Sequence, residues 1–150
     1  MAAWQFSLFL VEQGACAPIV AGDSWLVPSL AEPSVGKALV SLNMALGAPT
    51  IITDDWLIFG ADTGNRVNVS VEETGKGDIS ARVDARVDAS PFAALLCSLA
   101  DEVDCVFFSP ESNAFIEATP GALLSAIEKS QAAAFCEAPR EFLRKLKEGR

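Results

Sequence analysis

The longest uninterrupted alternation of apolar and polar residues in the chain runs from Asp78 to Asp88. Ile79, Ala81, Val83, Ala85 and Val87 fall on one side of a period of two, and Asp78, Ser80, Arg82, Asp84, Arg86 and Asp88 on the other. That period predicts a β-strand with one dry and one wet face, with the wet-face charges spaced about 6–7 Å apart. Arg66 to Glu73 has the same character, with Val67, Val69 and Val71 facing one way and Asn68, Ser70 and Glu72 the other. Both predicted strands carry their dry residues at odd numbers. Facing positions must therefore sum to an even number, and the connecting loop must hold an odd count of residues. Either three (Gly75, Lys76 and Gly77, with Gly77 left-handed) or five would satisfy this.

The other segments read from the same two periods. Trp4 to Glu12 is apolar on both sides, as expected of a strand central in its sheet. Residues 14 to 33 hold Gly22, Pro18, Pro28 and Pro33 and read as mostly irregular, with a short strand over Ser24 to Val27. Ser34 caps a helix whose apolar positions are Val35, Ala38, Leu39, Leu42, Ala45 and Leu46, and Gly47 stops it. Thr50 to Phe59 reads as one strand and residues 60 to 65 as a turn. Ser90-Pro91 opens a helix with Phe92, Leu95, Leu96 and Leu99 buried. Val103 to Ser109 is a strand, with Ala114 to Ala118 pairing back. Thr119-Pro120 caps a long helix that runs through Leu123, Ile127 and Phe135. Pro139 opens a last helix with Phe142, Leu143 and Leu146 inward and basic residues outward. Strands and helices do not alternate strictly. The pattern predicts a single α+β domain over residues 1–150, a mainly antiparallel sheet with three to four helices packed on one face.

Composition narrows the chemistry. The 150 residues carry a net charge of −9, which argues against a nucleic-acid partner. Residues 139 to 150 are net +3, so the body is net −12 and attracts basic partners. There is no histidine and no tyrosine, which removes Ser-His-Asp and Cys-His catalysis and histidine–metal sites. The cysteines at 16, 97, 105 and 136 show no C-x-x-C spacing and read as reduced thiols, Cys97 and Cys105 buried. No basic residue precedes Lys37, and Trp4 to Val11 is too short to span a membrane. The expectation is a soluble, cytoplasmic protein with no membrane partner and no cofactor.

Two constellations remain. Carboxylate chemistry or a metal would use Asp54, Asp55 and Asp62. Adjacent Asp54 and Asp55 on a strand point to opposite faces, however, and turn composition accounts for Asp62. The charged strand is the other constellation. Arg82 and Arg86 offer planar forks for carboxylates, and Asp84 and Asp88 accept from basic groups. These charges either pair with one another on a solvated surface or read another protein's surface. Of the three tryptophans, Trp4 and Trp56 lie in strand-like runs and read as core. Trp25 lies in an irregular segment and reads as a candidate aromatic anchor.

The succession of Gly64-Asn65, the alternating run from Ile79 to Arg86, Pro91-Phe92, Asp104-Cys105-Val106-Phe107, the run Leu123 to Ser130, and Pro139 to Leu143 resembles small bacterial α+β proteins. Some of these are similar to immunity proteins found beside contact-delivered or secreted toxins. The likeness spans residues 56 to 146, and the first 50 residues lie outside it. It implies a non-catalytic protein that binds and blocks a toxin, and it carries over no functional residue. The resulting expectation is a protein-binding domain whose partner is another protein, such as a basic toxin. Glu72, Arg82, Asp84, Arg86 and Trp25 are its contact residues. The alternatives are the Asp54/Asp55/Asp62 enzyme or metal binder and a homo-oligomer, such as a homodimer, joined through the hairpin face or a strand edge.

Overall fold

The computed structural model describes residues 1–148, without the side chains of Arg140 and Phe142. Nine strands and five helices follow in the order β1 (Gln5–Glu12), β2 (Ile19–Ala21), β3 (Ser24–Leu26), α1 (Glu32–Leu46), β4 (Thr50–Thr53), β5 (Trp56–Gly60), β6 (Arg66–Val71), β7 (Gly77–Asp84), α2 (Ser90–Glu102), β8 (Cys105–Ser109), β9 (Ala114–Ile116), α3 (Pro120–Glu128), α4 (Gln131–Glu137) and α5 (Pro139–Glu148). Seven strands form one antiparallel sheet in the order β4-β5-β6-β7-β1-β8-β9, and β2 pairs with β3 separately. The α+β class with a mainly antiparallel sheet is as the periodicity predicts, with five helices where three to four were expected.

The odd-numbered dry face of the β6–β7 hairpin is the floor of the core. Val67, Val69, Ile79, Ala81 and Val83 are fully buried, together with Leu8 and Leu10 of β1. Above them pack Val35, Ala38 and Leu42 of α1, Phe92, Leu96 and Leu99 of α2, Leu123 and Ile127 of α3, and Ala132 of α4. Removing each such large side chain from water contributes about 1.5–3 kcal/mol. β1 is apolar on both faces because it lies inside the sheet and because the β2–β3 hairpin covers part of the far side. There Trp25 packs against Phe9 and edge-on against Phe108, with centroids 6.4 and 5.5 Å apart.

Several boundaries differ from the pattern. The Thr50–Phe59 run is two strands, because Asp54-Asp55 turn the chain back on itself. α1 begins before Ser34, with Ala31 at the cap and Pro33 in the first turn. Gly47, at φ 83°, ends it as expected. Ser90 lies inside α2; Asp88 Oδ1, two residues earlier, accepts from its amide at 3.0 Å. The long C-terminal helix breaks at Ser130, whose hydroxyl donates to Ile127 O at 2.6 Å and accepts from Ala133 N at 3.2 Å, so it ends α3 and caps α4. In α5, Leu143 and Leu146 are about half exposed instead of inward, since this helix packs chiefly on α4 at the margin of the molecule. The inward placement expected for Phe142 lies outside the described residues.

The parity argument for the hairpin holds, with its loop displaced by two residues. Glu72 and Lys76 are the last facing pair, joined by Glu72 N to Lys76 O at 2.7 Å. The three-residue loop is therefore Glu73, Thr74 and Gly75, and Gly75, not Gly77, is left-handed at φ 87°. Gly77 is required for a different reason: a Cβ there would lie 2.0 Å from Ser70 O.

Candidate functional site

Side chains at even positions of β6 and β7 and odd positions of β1 point away from the helices. Register places Arg66 opposite Arg82, Asn68 opposite Ser80 and Ser70 opposite Asp78. On the neighbouring strands Ser7 lies beside Arg82, and Trp56 lies beside Ser70. This helix-free face is the candidate site, and its charges divide into three zones along β7.

At one end the charges are used internally. Asp84 is buried and accepts from the Arg86 backbone amide at 2.9 Å, from Nε at 3.0 Å and from Nη2 at 2.9 Å. These bonds hold the Asp84 carboxyl below its usual range and raise the Arg86 guanidinium. The Asp84 side chain bonds the backbone two residues on, an Asx-type turn that ends β7 and takes Arg86 out of the strand. The continuous ladder expected through Asp88 therefore stops at Asp84. Arg86 lies 4.2 Å over the Trp4 ring, and both donate to Thr63 O, at 3.1 and 2.7 Å. Asn65 Oδ1 accepts from Asp84 N at 2.8 Å, and the buried Gln5 donates to Gly64 O at 2.8 Å. This cluster fixes the turn between β5 and β6.

Arg82 occupies the middle, half-buried, with no carboxylate paired to it among the described residues. Burial lowers its guanidinium from the usual value. The charge of Arg66 across the strand pair lowers it further, and Asp62 offsets part of this. Arg66 is buried, its Nε donating to Asn68 Oδ1 at 2.9 Å and its Nη1 pairing with Asp62.

The other end is acidic. A cavity of about 500 Å³ is lined by Asp78, Glu72, Asp55, Trp56, Ser70 and Ser29. Burial raises the Asp78 carboxyl above its usual value, and neighbouring Glu72 raises it further, against a hydrogen bond from Ser70. Glu72 accepts from Ser29 Oγ at 2.7 Å, and Thr53 Oγ1 donates to Asp55. Ser29 is brought here by the chain leaving β3, which bridges Leu30 to Gly77 through Leu30 N to Gly77 O at 2.6 Å.

The expected contact residues thus do not converge. Arg82 and Glu72 lie on or beside the open face, toward opposite ends of the hairpin. Asp84 and Arg86 are bound to each other, and Trp25 is half-buried as a cover over Phe9 and Phe108. Asp78 and Trp56 were not among the expected contacts. Trp56, read as core, is 39% exposed at the start of β5. Its position directly after the Asp54-Asp55 turn was the available signal. Asp54 and Asp55 precede β5 and Asp62 follows it, so the strand, about 17 Å long, separates the carboxylates proposed to act together. Among the described residues no group of three or more His, Cys, Asp or Glu side chains is placed to hold a metal. No helix among them is long and apolar enough to cross a membrane. The cysteines are free thiols, Cys97 and Cys105 buried; burial, with Glu12 and Asp104 nearby, pushes Cys105 up to about 12.

Comparison of the chain with protein-family models, with curated proteins and with solved structures finds no match in any of the three.

Proposed function

We propose that this chain is a non-catalytic protein-binding domain that uses the helix-free face of its sheet, in the manner of an immunity protein that blocks a basic toxin. The observation that carries the reading is Arg82. A half-buried guanidinium with a like charge opposite it, offset only in part by Asp62 and with no carboxylate paired to it, is a costly arrangement within the chain alone. A carboxylate supplied by a partner relieves it. Inhibition of this kind needs an interface of about 1,200–2,000 Å² and a few central anchors, with no chemistry. The acidic body speeds encounter with a basic partner at low salt. The pattern likeness to immunity proteins adds the class of partner.

The test is co-expression with the product of the adjacent reading frame, followed by binding measurement on the purified pair. The expected result is that the neighbour alone arrests growth and that this chain restores it. Arg82→Glu abolishes the rescue and weakens binding by at least tenfold. That substitution sets a carboxylate opposite Arg66, so the melt stays within about 0.5 kcal/mol of the parent. Full rescue by Arg82→Glu would overturn the reading.

A further inference from the structure

Asp78 and Arg82 stand on the same face of β7, four residues apart, which sets their backbones about 13 Å from each other. Among the described residues neither has an ion partner. The strongest charge acting on each is of its own sign, Glu72 on Asp78 and Arg66 on Arg82, the latter offset in part by Asp62. Neither like-charge pair is resolved by exchange along the strand, because only Ser80 lies between the poles on this face. Trp56 adds an exposed indole to the wall of the Asp78 cavity, a surface on which a guanidinium or ammonium stacks. No comparable aromatic side chain stands opposite Arg82, whose cross-strand neighbours are Ser7 and Arg66.

We propose that the face is a two-pole reader: it docks a protein segment that sets a basic side chain against Asp78 and Trp56 and an acidic side chain against Arg82, about 13 Å away. This rests on the protein-binding reading and specifies its partner. Charge complementarity selects the occupant. A uniformly basic surface would be drawn to the acidic body but would leave Arg82 unrelieved, and a uniformly acidic one would be repelled at Asp78. Ser80, the small side chain between the poles, leaves room for an extended backbone to approach, and positions i and i+4 of such a segment have the matching spacing.

The probes are acetyl-Arg-Ser-Val-Ser-Glu-amide, the same sequence reversed, and versions of both with either charged residue replaced by alanine. Each is titrated into the ¹⁵N-labelled chain, following the Trp56 indole N–H and the backbone amides of β7. One orientation is expected to bind at least tenfold more tightly than its single-charge versions. Asp78→Asn removes the advantage of the arginine alone, and Arg82→Gln that of the glutamate alone. Asp78→Asn preserves shape and Arg82→Gln keeps a polar but shorter side chain, and the rest of the amide spectrum reports that the fold persists. Equal affinity of the two-charge and single-charge peptides, shifts that survive both substitutions, or absence of saturable binding would overturn the proposal. If the peptides fail while Arg82→Glu still abolishes rescue and capture of the neighbouring gene product, protein binding stands and the two-pole reading falls. If rescue survives Arg82→Glu, the protein-binding reading itself falls.

Discussion

Asp84→Asn isolates the charges that hold the turn at the end of β7. The Asp84 carboxylate takes three hydrogen bonds from Arg86, two from the guanidinium and one from the backbone. Asparagine keeps one carbonyl oxygen, enough for the backbone bond, and loses the charge-assisted pair. Charge-assisted bonds are worth about 1.5–3 kcal/mol each when sheltered. The arginine end here is 46% exposed and screened by water, which brings the expected loss for Asp84→Asn down to about 1–2 kcal/mol. In a domain of this size that lowers the melting temperature at pH 7 by about 3–6 °C. The pH dependence has a definite sign. The folded carboxyl is held below its usual value, so the native state binds the proton less readily than the unfolded chain does. The stabilisation is complete above about pH 5, where an unfolded aspartate is almost wholly ionised, and is lost as pH falls through the folded value. Melts of parent and variant, followed by circular dichroism from pH 7 to pH 2, should converge at the acid end. A variant that melts with the parent at pH 7, or a gap of the same size at pH 2, would refute the assignment of Asp84 and Arg86 to the turn between β5 and β6.

Two further outcomes are expected. Gly77→Ala places a methyl group against the Ser70 carbonyl and forces β6 and β7 apart, so urea unfolding should show a loss of at least about 2 kcal/mol, whereas Gly36→Ala, with open space around its Cβ, should show none. Cys16, exposed, should react with a thiol reagent at pH 8 within minutes, while Cys105 stays unmodified until the chain unfolds, as mass spectrometry of the labelled peptides would show.

The fold was legible wherever one physical requirement set the pattern. Val67, Val69, Ile79, Ala81 and Val83 must face the helices, and that alone gave the pairing parity of the hairpin and the odd loop. It failed where a side chain competes with the backbone ladder. Arg86 and Asp88 continue the alternation of types, yet Asp84 captures the Arg86 amide and ends the strand. Ser130 sits within a run of helical spacing and breaks it by bonding Ile127 O and Ala133 N. Asp54-Asp55 split an apolar run whose hydropathy is indifferent to a turn. The candidate site was half legible. Arg82 follows from parity, but the absence of a partner for it depends on Asp84 turning to Arg86, a choice among equivalent charges that spacing does not rank. Asp78 and Trp56 meet only through the register of three strands, β5, β6 and β7.

The place of β1 between β7 and β8 has a consequence for how the molecule is made. Leu8 sits across from Ala81 and Leu10 across from Phe107, so β1 is flanked by two strands that emerge much later than it does. Until residue 109 has left the ribosome, the apolar run from Phe6 to Val11 has no lasting shelter. During that interval it is a target for chaperones and for neighbouring nascent chains. Slowing translation before β8 should lower the yield of native protein, while slowing it after β9 should leave the yield unchanged.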